Sequence, residues 1–217
     1  MFADVVSGFL DLLAPPACAA CDAELSQPEL GFCAACAPLL EPAPAHGDDG
    51  VHCAQLYGGP LAQAIQRFKY GGRTELLPAL ARLMDHATLG LAGEVDVVLC
   101  VPLHRTRLVR RGFNQSALLG AKVAARLGLP FRPTWLRRVR RTSPQVGLSA
   151  EERSRNLRGA FRASPKVRDK RVLVVDDVST TGTTLSEVQR ALREQGASKV
   201  ATLCLALAEP EDDIEEC

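Results

Sequence analysis

The clearest pattern along the chain is a series of short apolar runs separated by amphipathic stretches. Val95–Val101 (VDVVLCV), Arg171–Asp176 (RVLVVD) and Val200–Leu207 are nearly continuous in aliphatic residues. Strands buried on both faces read this way, whereas half-exposed ones alternate. Between them, Leu61–Tyr70, Leu76–Leu91, Asn114–Leu127 and a stretch from about Thr184 to Gln195 place apolar residues at helical spacing. In the third of these, Ala117, Leu118, Ala121, Ala124 and Ala125 share a face, and Gly128 with Pro130 ends the helix. Strands and helices alternate, which predicts an α/β fold with a parallel sheet covered by helices. The stretch 137–160 reads as basic and irregular.

The N-terminal part breaks this rhythm. Phe2, Val5, Val6, Phe9, Leu10, Leu12 and Leu13 follow helical spacing, with no basic start and with Asp4 and Asp11 interrupting the apolar run. A short amphipathic helix fits better than a signal peptide. Residues 38–50 (PLLEPAPAHGDDG) hold three prolines, two glycines and an acidic pair, the composition of a linker. The chain therefore divides into an N-terminal helix with a cysteine-rich segment over 1–45 and an α/β domain over 51–217. No stretch reaches the ~18 uninterrupted apolar residues of a membrane span, so no membrane insertion is expected.

Four of the eight cysteines are grouped, Cys18, Cys21, Cys33 and Cys36, in the spacing C-x2-C-x11-C-x2-C. Two residues between thiolates let both sulfurs of a turn face one centre, and two such turns complete a tetrahedron. That is the pattern of structural Zn2+, which supplies folding energy to a segment too short for its own core. Paired disulfides are the competing reading, but Cys100 and Cys204 sit alone in apolar runs, where a thiol behaves as a small hydrophobe. A reducing, cytoplasmic location follows.

Charge sharpens the picture. The net charge is only +1 over 217 residues, yet 101–171 carries 19 basic and 3 acidic residues, while 1–100 carries 4 and 12 and 172–217 carries 3 and 10. A basic third between two acidic ones calls for an anionic ligand or partner.

The chemistry concentrates in Val172–Thr184, VLVVDDVSTTGTT. A buried strand ends in Asp176 and Asp177, at the sheet edge where ligands of open α/β folds bind. Val178, Ser179, Thr180, Thr181, Gly182, Thr183 and Thr184 then supply hydroxyls, amides and a glycine as the chain enters a helix. A helix N-terminus favours an anion such as a phosphate monoester, and two carboxylates beside it can accept hydrogen bonds from vicinal hydroxyls. Together they describe a ribose 5-phosphate. Thr184 and Glu187 also match a capping box. The chain has neither G-x-x-x-x-G-K-[ST] nor G-x-G-x-x-G, which argues against nucleoside-triphosphate hydrolysis and dinucleotide binding.

Val172–Thr184 resembles the phosphoribosyl-pyrophosphate (PRPP) signature of type I phosphoribosyltransferases. Further stretches narrow the resemblance to the ComF/GntX family of competence-related proteins: Tyr57–Leu61, Phe68–Arg73, Val101–His104, Arg111–Gln115 and Gln145–Phe161, with the N-terminal cysteine segment. The resemblance covers nearly the whole chain. Many members carry further C-x2-C pairs, and this chain has only the four clustered cysteines.

The resemblance implies a parallel-sheet type I phosphoribosyltransferase-like, Rossmann-like domain beside a small zinc ribbon. It implies that Asp176 and Asp177 hold the ribose hydroxyls and Val178–Thr184 the 5-phosphate. Pro102, Leu103, His104 and Arg105 would lie where such enzymes hold pyrophosphate. Arg137, Arg138, Arg140, Arg141, Gln145, Arg153 and Asn156 would belong to a flexible catalytic loop over it. Mg2+ would bridge pyrophosphate and ribose oxygens, largely through substrate and water. The implied reaction is a phosphoribosyl transfer to an unidentified nitrogen acceptor, linked to DNA uptake. Two further readings stay open: PRPP sensed without turnover, and direct binding of single-stranded DNA alongside a competence helicase or other uptake proteins. Against strong base stacking, only Phe113, Phe131, Trp135 and Phe161 lie in the basic third.

Overall fold

A computed structural model describes residues 16–26, 31–44, 51–140 and 155–208. The expected helix over 1–13, and Arg141, Gln145 and Arg153 of the expected loop, lie outside the described residues. In chain order the elements are β1 (Val51–Leu56), α1 (Gly59–Tyr70), α2 (Leu77–Leu83), α3 (Asp85–Leu89), β2 (Val97–Cys100), α4 (Arg105–Arg111), α5 (Gln115–Leu127), β3 (Leu136–Arg138), β4 (Phe161–Ala163), β5 (Arg171–Ser179), α6 (Thr183–Glu194) and β6 (Lys199–Leu207).

Strands β1, β6, β5 and β2 form one parallel sheet in that order. Successive residues of β5 point to opposite faces, and both faces are covered. Leu173 and Val175 pack with Leu61, Ile65 and Leu119 of α1 and α5. Val172 and Val174 pack with Leu185, Val188 and Leu192 of α6. The continuous apolar runs thus do signal strands buried on both sides.

The differences from the expected elements have local causes. Asp96 stays out of β2 because its carboxylate accepts hydrogen bonds from the backbone and side chain of Arg171. The expected single helix over 76–91 breaks at Met84, a fully buried residue whose amide turns back to Ala81 O at 3.1 Å. Strand β1, not foreseen, is an edge strand paired with β6 on one side, and its polar His52 and Gln55 mask the pattern. The stretch expected to be irregular over 137–160 begins in β3, which pairs antiparallel with β4. Leu136, Phe161 and Ala163 are buried there while Arg137 and Arg162 face outward, so charge hides the ribbon. Helix α4 escapes the apolar pattern because none of its residues is buried.

The cysteine segment docks on the same core. Cys18, Ala19, Ala20 and Phe32 pack in one cluster with Leu61, Ile65 and Leu80. Gly31, at φ +72°, lies so close to α2 that a Cβ would fall 2.3 Å from Ala79 Cβ.

Candidate functional site

Strand β5 runs on through both carboxylates to Ser179, so Asp176 and Asp177 leave the sheet on opposite sides at its C-terminal edge. Both are buried. Asp176 Oδ1 accepts from Ser116 Oγ at 2.7 Å and from the Asp177 amide at 2.9 Å. Asp177 Oδ1 accepts from the Val178 amide at 2.8 Å, and its Oδ2 stands 3.0 Å from Lys69 Nζ. Ser116 reaches Asp176 because α5 starts beside it. Asn114 caps that helix by accepting from Ser116 N at 3.1 Å, and its own amide donates to Val101 O at 3.0 Å.

The two carboxyls titrate in opposite directions. Burial, and then the neighbouring charge of Asp177, raises Asp176 to about 7 against the help of Ser116. Burial also pushes Asp177 up, but the Lys69 charge and hydrogen bonds from Lys69, Gln115 and the Val178 amide outweigh it, so Asp177 lies below the usual carboxylate range. Lys69 is held above its ordinary value, because Asp177 overcomes the burial that opposes its charge. One cation thus serves two buried acids. Gln115 Oε1, also buried beside the pair, has no partner among the described residues.

The loop after β5 turns at Gly182, which sits at φ +69° with open space where a Cβ would be. The expected capping box does not form. Helix α6 starts at Thr183, so Thr184 lies inside the first turn, and Glu187 instead accepts from Gly159 N at 3.3 Å and pairs with Arg190 at 2.8 Å. Consequently no side chain caps α6, and the first intrahelical donor is Ser186 N to Gly182 O at 2.9 Å. Amides earlier in the turn lack intrahelical acceptors. Thr181 and Thr183 hydroxyls meet at 2.7 Å on the same turn. Helix α5, by contrast, is closed by the Asn114 side chain.

Pro102 and Leu103 form the loop after β2. His104 Nδ1 accepts from Thr106 N at 3.3 Å and so caps α4, whose first residue is the exposed Arg105. Arg111 stacks its guanidinium 4.8 Å from the Tyr70 ring. Of the expected loop residues, Arg137 and Arg138 lie on β3, and Arg138 stacks 5.5 Å over Phe161. Arg140 donates to the carbonyls of Asn156 at 2.7 Å and Arg158 at 2.8 Å. It therefore ties the chain before residue 141 to the chain after residue 154. Among the described residues, the expected loop therefore begins on the β3–β4 ribbon, and Arg140 bridges its two flanks. Lys69, Gln115 and Ser116 carried no assigned role in the sequence. A lysine among the apolar residues of a helix turn was the available signal for the first.

The sulfurs of Cys18, Cys21, Cys33 and Cys36 all lie within 4.8 Å of one another. Cys21 is 3.7 Å from both Cys33 and Cys36. A tetrahedral zinc with ~2.3 Å bonds separates its sulfurs by about 3.8 Å, so the four thiols fit one such ion. Burial opposes ionisation of Cys18, but amides of Cys33, Cys21 and Ala20 point at it and lower it to about 6, whereas burial and the neighbouring thiols hold Cys36 up.

A model of the phosphoribosyl transferase domain matches residues 73–216. The chain is 39% identical over 155 residues to DNA utilization protein YhgH of Escherichia coli strain K12, covering 69% of this chain and 68% of that one. It is 31% identical over 221 residues to competence protein F of Haemophilus influenzae, covering 88% of this chain and 96% of the relative. Among solved structures, glutamine PRPP amidotransferase from B. subtilis superposes with a TM-score of 0.45 at 25% identity, over 64% of this chain and 30% of that enzyme's length. Among the described residues, no helix is long and apolar enough to cross a membrane.

Proposed function

The chain belongs to the ComF family of competence-related proteins with a type I phosphoribosyltransferase domain, and from that premise we propose that it binds PRPP with Mg2+ at the C-terminal edge of β5. The observation that carries this is the juxtaposition of an uncapped helix start with two buried carboxylates. The α6 turn accepts the 5-phosphate on its free amides and on the Thr181 and Thr183 hydroxyls. Asp176 accepts from a ribose hydroxyl, and Asp177 holds the opposite side of the strand end in its ionised form. The unpartnered Gln115 Oε1 offers a further acceptor. Arg105 and the arginines of α4 face the pyrophosphate. Mg2+ would supply neutralising charge to that leaving group when bound, held largely through substrate oxygens and water.

Transfer follows if a nitrogen nucleophile replaces pyrophosphate at C1. Holding and neutralising the leaving group, rather than covalent chemistry by the protein, supplies the acceleration. Titration calorimetry with Mg2+ and PRPP tests the site: heat in the wild type and none in Asp176→Asn/Asp177→Asn is expected, and equal heats reject it. Pyrophosphate release against purines, pyrimidines, orotate and ammonia then separates transfer from sensing, since silence across the panel favours a sensor.

A second reading has its own observation. Helix α4 buries none of its residues, exposes Val109 at 84%, and presents Arg105 and Arg110 to solvent. This basic surface fits single-stranded DNA, in keeping with the DNA-utilization and competence names of the relatives. Affinity for an oligonucleotide should fall steeply with salt and fall further in Arg105→Ala/Arg110→Ala; no binding at low salt removes this role. The cysteine segment holds structural Zn2+, and a reducing cytoplasm keeps its thiols available.

A further inference from the structure

The last turn of α1 places four consecutive side chains against three parts of the molecule: the cysteine segment, the junction of α4 and α5, and the end of β5. Arg67 Nη1 donates to the carbonyls of Ala19 at 3.2 Å and Ala20 at 2.9 Å, within the loop between Cys18 and Cys21, and its other nitrogen pairs with Asp22. Phe68 packs against Phe113 with ring centroids 5.4 Å apart. Lys69 reaches Asp177. Tyr70 lies under the guanidinium of Arg111. At about 100° per residue, Arg67 and Lys69 project from nearly opposite sides of the helix, with Phe68 buried between them.

The turn is held in place at its end as well. Gly71 N donates to Arg67 O at 2.9 Å, and a Cβ at Gly71 would fall 2.7 Å from that carbonyl. Arg73 then returns to Asp22 at 3.2 Å. The cysteine segment therefore grips, through the contacts of Arg67 with Ala19, Ala20 and Asp22, the same turn that brings Lys69 to the acidic pair, while its Gly31 abuts Ala79 of the neighbouring α2.

We infer that Lys69 is a positioning residue for Asp176 and Asp177, and that the cysteine segment sets where Lys69 stands by holding Arg67. This rests on the PRPP reading for the ligand that the pair serves. The physical requirement is strict, because Asp177 is buried and Lys69 is largely shielded from water. A buried carboxylate that loses its counter-ion takes up a proton instead. A protonated Asp177 becomes a donor where an acceptor is needed. A small shift of α1 thus alters the charge of the site without touching ligand. The groups facing the ion pair are Asp176 on the same strand, Tyr70 on α1 and Tyr57 just before it, together with the neutral Gln115 from α5.

The variant Arg67→Met keeps the aliphatic stem and removes the guanidinium. Two measurements on the full-length protein decide the matter, with zinc content measured to show that the metal is retained. The first needs no ligand: amide hydrogen exchange at 175–179 should quicken in Arg67→Met while β2 exchanges as in the wild type. Unchanged exchange at 175–179 overturns the inference. The second is PRPP calorimetry on a mutant cycle. Arg67→Met should bind roughly three- to tenfold more weakly and Lys69→Met at least thirtyfold more weakly. The double variant should bind no more weakly than Lys69→Met, and losses that multiply overturn the relay. If the wild type gives no heat with PRPP, the phosphoribosyl reading fails and the exchange experiment still decides this one. It decides equally if Lys69→Met does not fold, since it does not use that variant.

Discussion

The two ends of β5 carry the same chemistry in opposite settings. At the N-terminal end Asp96 is matched by one arginine: Arg171 donates its backbone amide at 2.8 Å and its guanidinium at 2.7 and 3.2 Å, and a fourth donor goes to Gly93 O at 2.8 Å. Lys199 and Glu94 form a second pair nearby at 2.7 Å. All four side chains are in partial contact with water. Those hydrogen bonds from Arg171 hold Asp96 down to about 2. At the C-terminal end two buried carboxylates share Lys69, and burial with the neighbouring Asp177 charge lifts Asp176 to about 7. The first end is saturated and serves as a lock. The second is one positive charge short, and the proposed binding of a ligand with hydroxyl donors and a divalent cation rests on that deficit. Burial and charge count, not residue type, separate a structural ion pair from a site.

The largest expected effect breaks the comparison directly. Asp176→Asn with Asp177→Asn should abolish detectable PRPP binding by calorimetry, a loss of a hundredfold or more. Asp96→Asn should leave the heat unchanged. If both changes weakened binding alike, the two ends would not differ in role.

The next effect concerns stability of the ligand-free protein. Asp176 has a folded value raised above that of the unfolded chain. Its contribution is therefore fully present at pH below the ordinary carboxylate value and is lost as pH rises toward about 7. Asp177 behaves in the opposite sense and matters only on acidification, since its folded value is depressed. Thermal stability of the wild type should accordingly fall between pH 5 and pH 8. Asp176→Asn should flatten that slope and be the more stable protein at pH 8. Denaturant melts of both proteins at the two pH values check it, and parallel slopes would count against a buried ionising Asp176.

Much of the fold and part of the site are legible in the residues alone. Continuous apolar runs locate β2, β5 and β6 because a sheet covered on both faces leaves no alternation. The run into Asp176-Asp177 and the following hydroxyl-rich turn mark the site, since both sit on one short contiguous segment. What stays hidden depends on contacts between distant residues. Lys69 is 108 positions before Asp177 in the chain, and nothing local says that α1 ends against β5. The resemblance assigns Arg137, Arg138 and Arg140 to a loop over pyrophosphate, but the sequence does not show that Arg138 stacks on Phe161 or that Arg140 holds two carbonyls. The Thr184–Glu187 box fails for a similar reason: Gly182 in the left-handed region is the N-cap, two residues earlier than the pattern suggests.

That glycine gives the third test. Gly182→Ala meets no steric neighbour but must hold a side chain at φ +69°, which costs about 1–2 kcal/mol. The variant should lose about that much stability in a denaturant melt. It should also weaken PRPP binding severalfold, through displacement of the α6 amides. A neutral change in both would show that this turn is not held for an anion.

The smallest effect tests the lock. Asp96→Asn removes the charge at the N-terminal end of β5 while leaving an oxygen to accept from the Arg171 amide. Exposed ion pairs contribute little because water screens them, so only a slight loss of thermal stability is expected, and it should shrink as salt is raised. The pH dependence separates the two ends more sharply than the size of the loss. With its folded value depressed to about 2, Asp96 contributes stability that is present above the ordinary carboxylate value and lost only as pH falls through that low range. Between pH 5 and pH 8 it stays ionised whether the chain is folded or not. Asp96→Asn should therefore shift the stability curve without changing its slope in that window, where Asp176→Asn changes the slope itself. A change of slope in Asp96→Asn would mean that the two ends of the strand are electrostatically coupled, and that the charge deficit at the site is partly met from across the sheet.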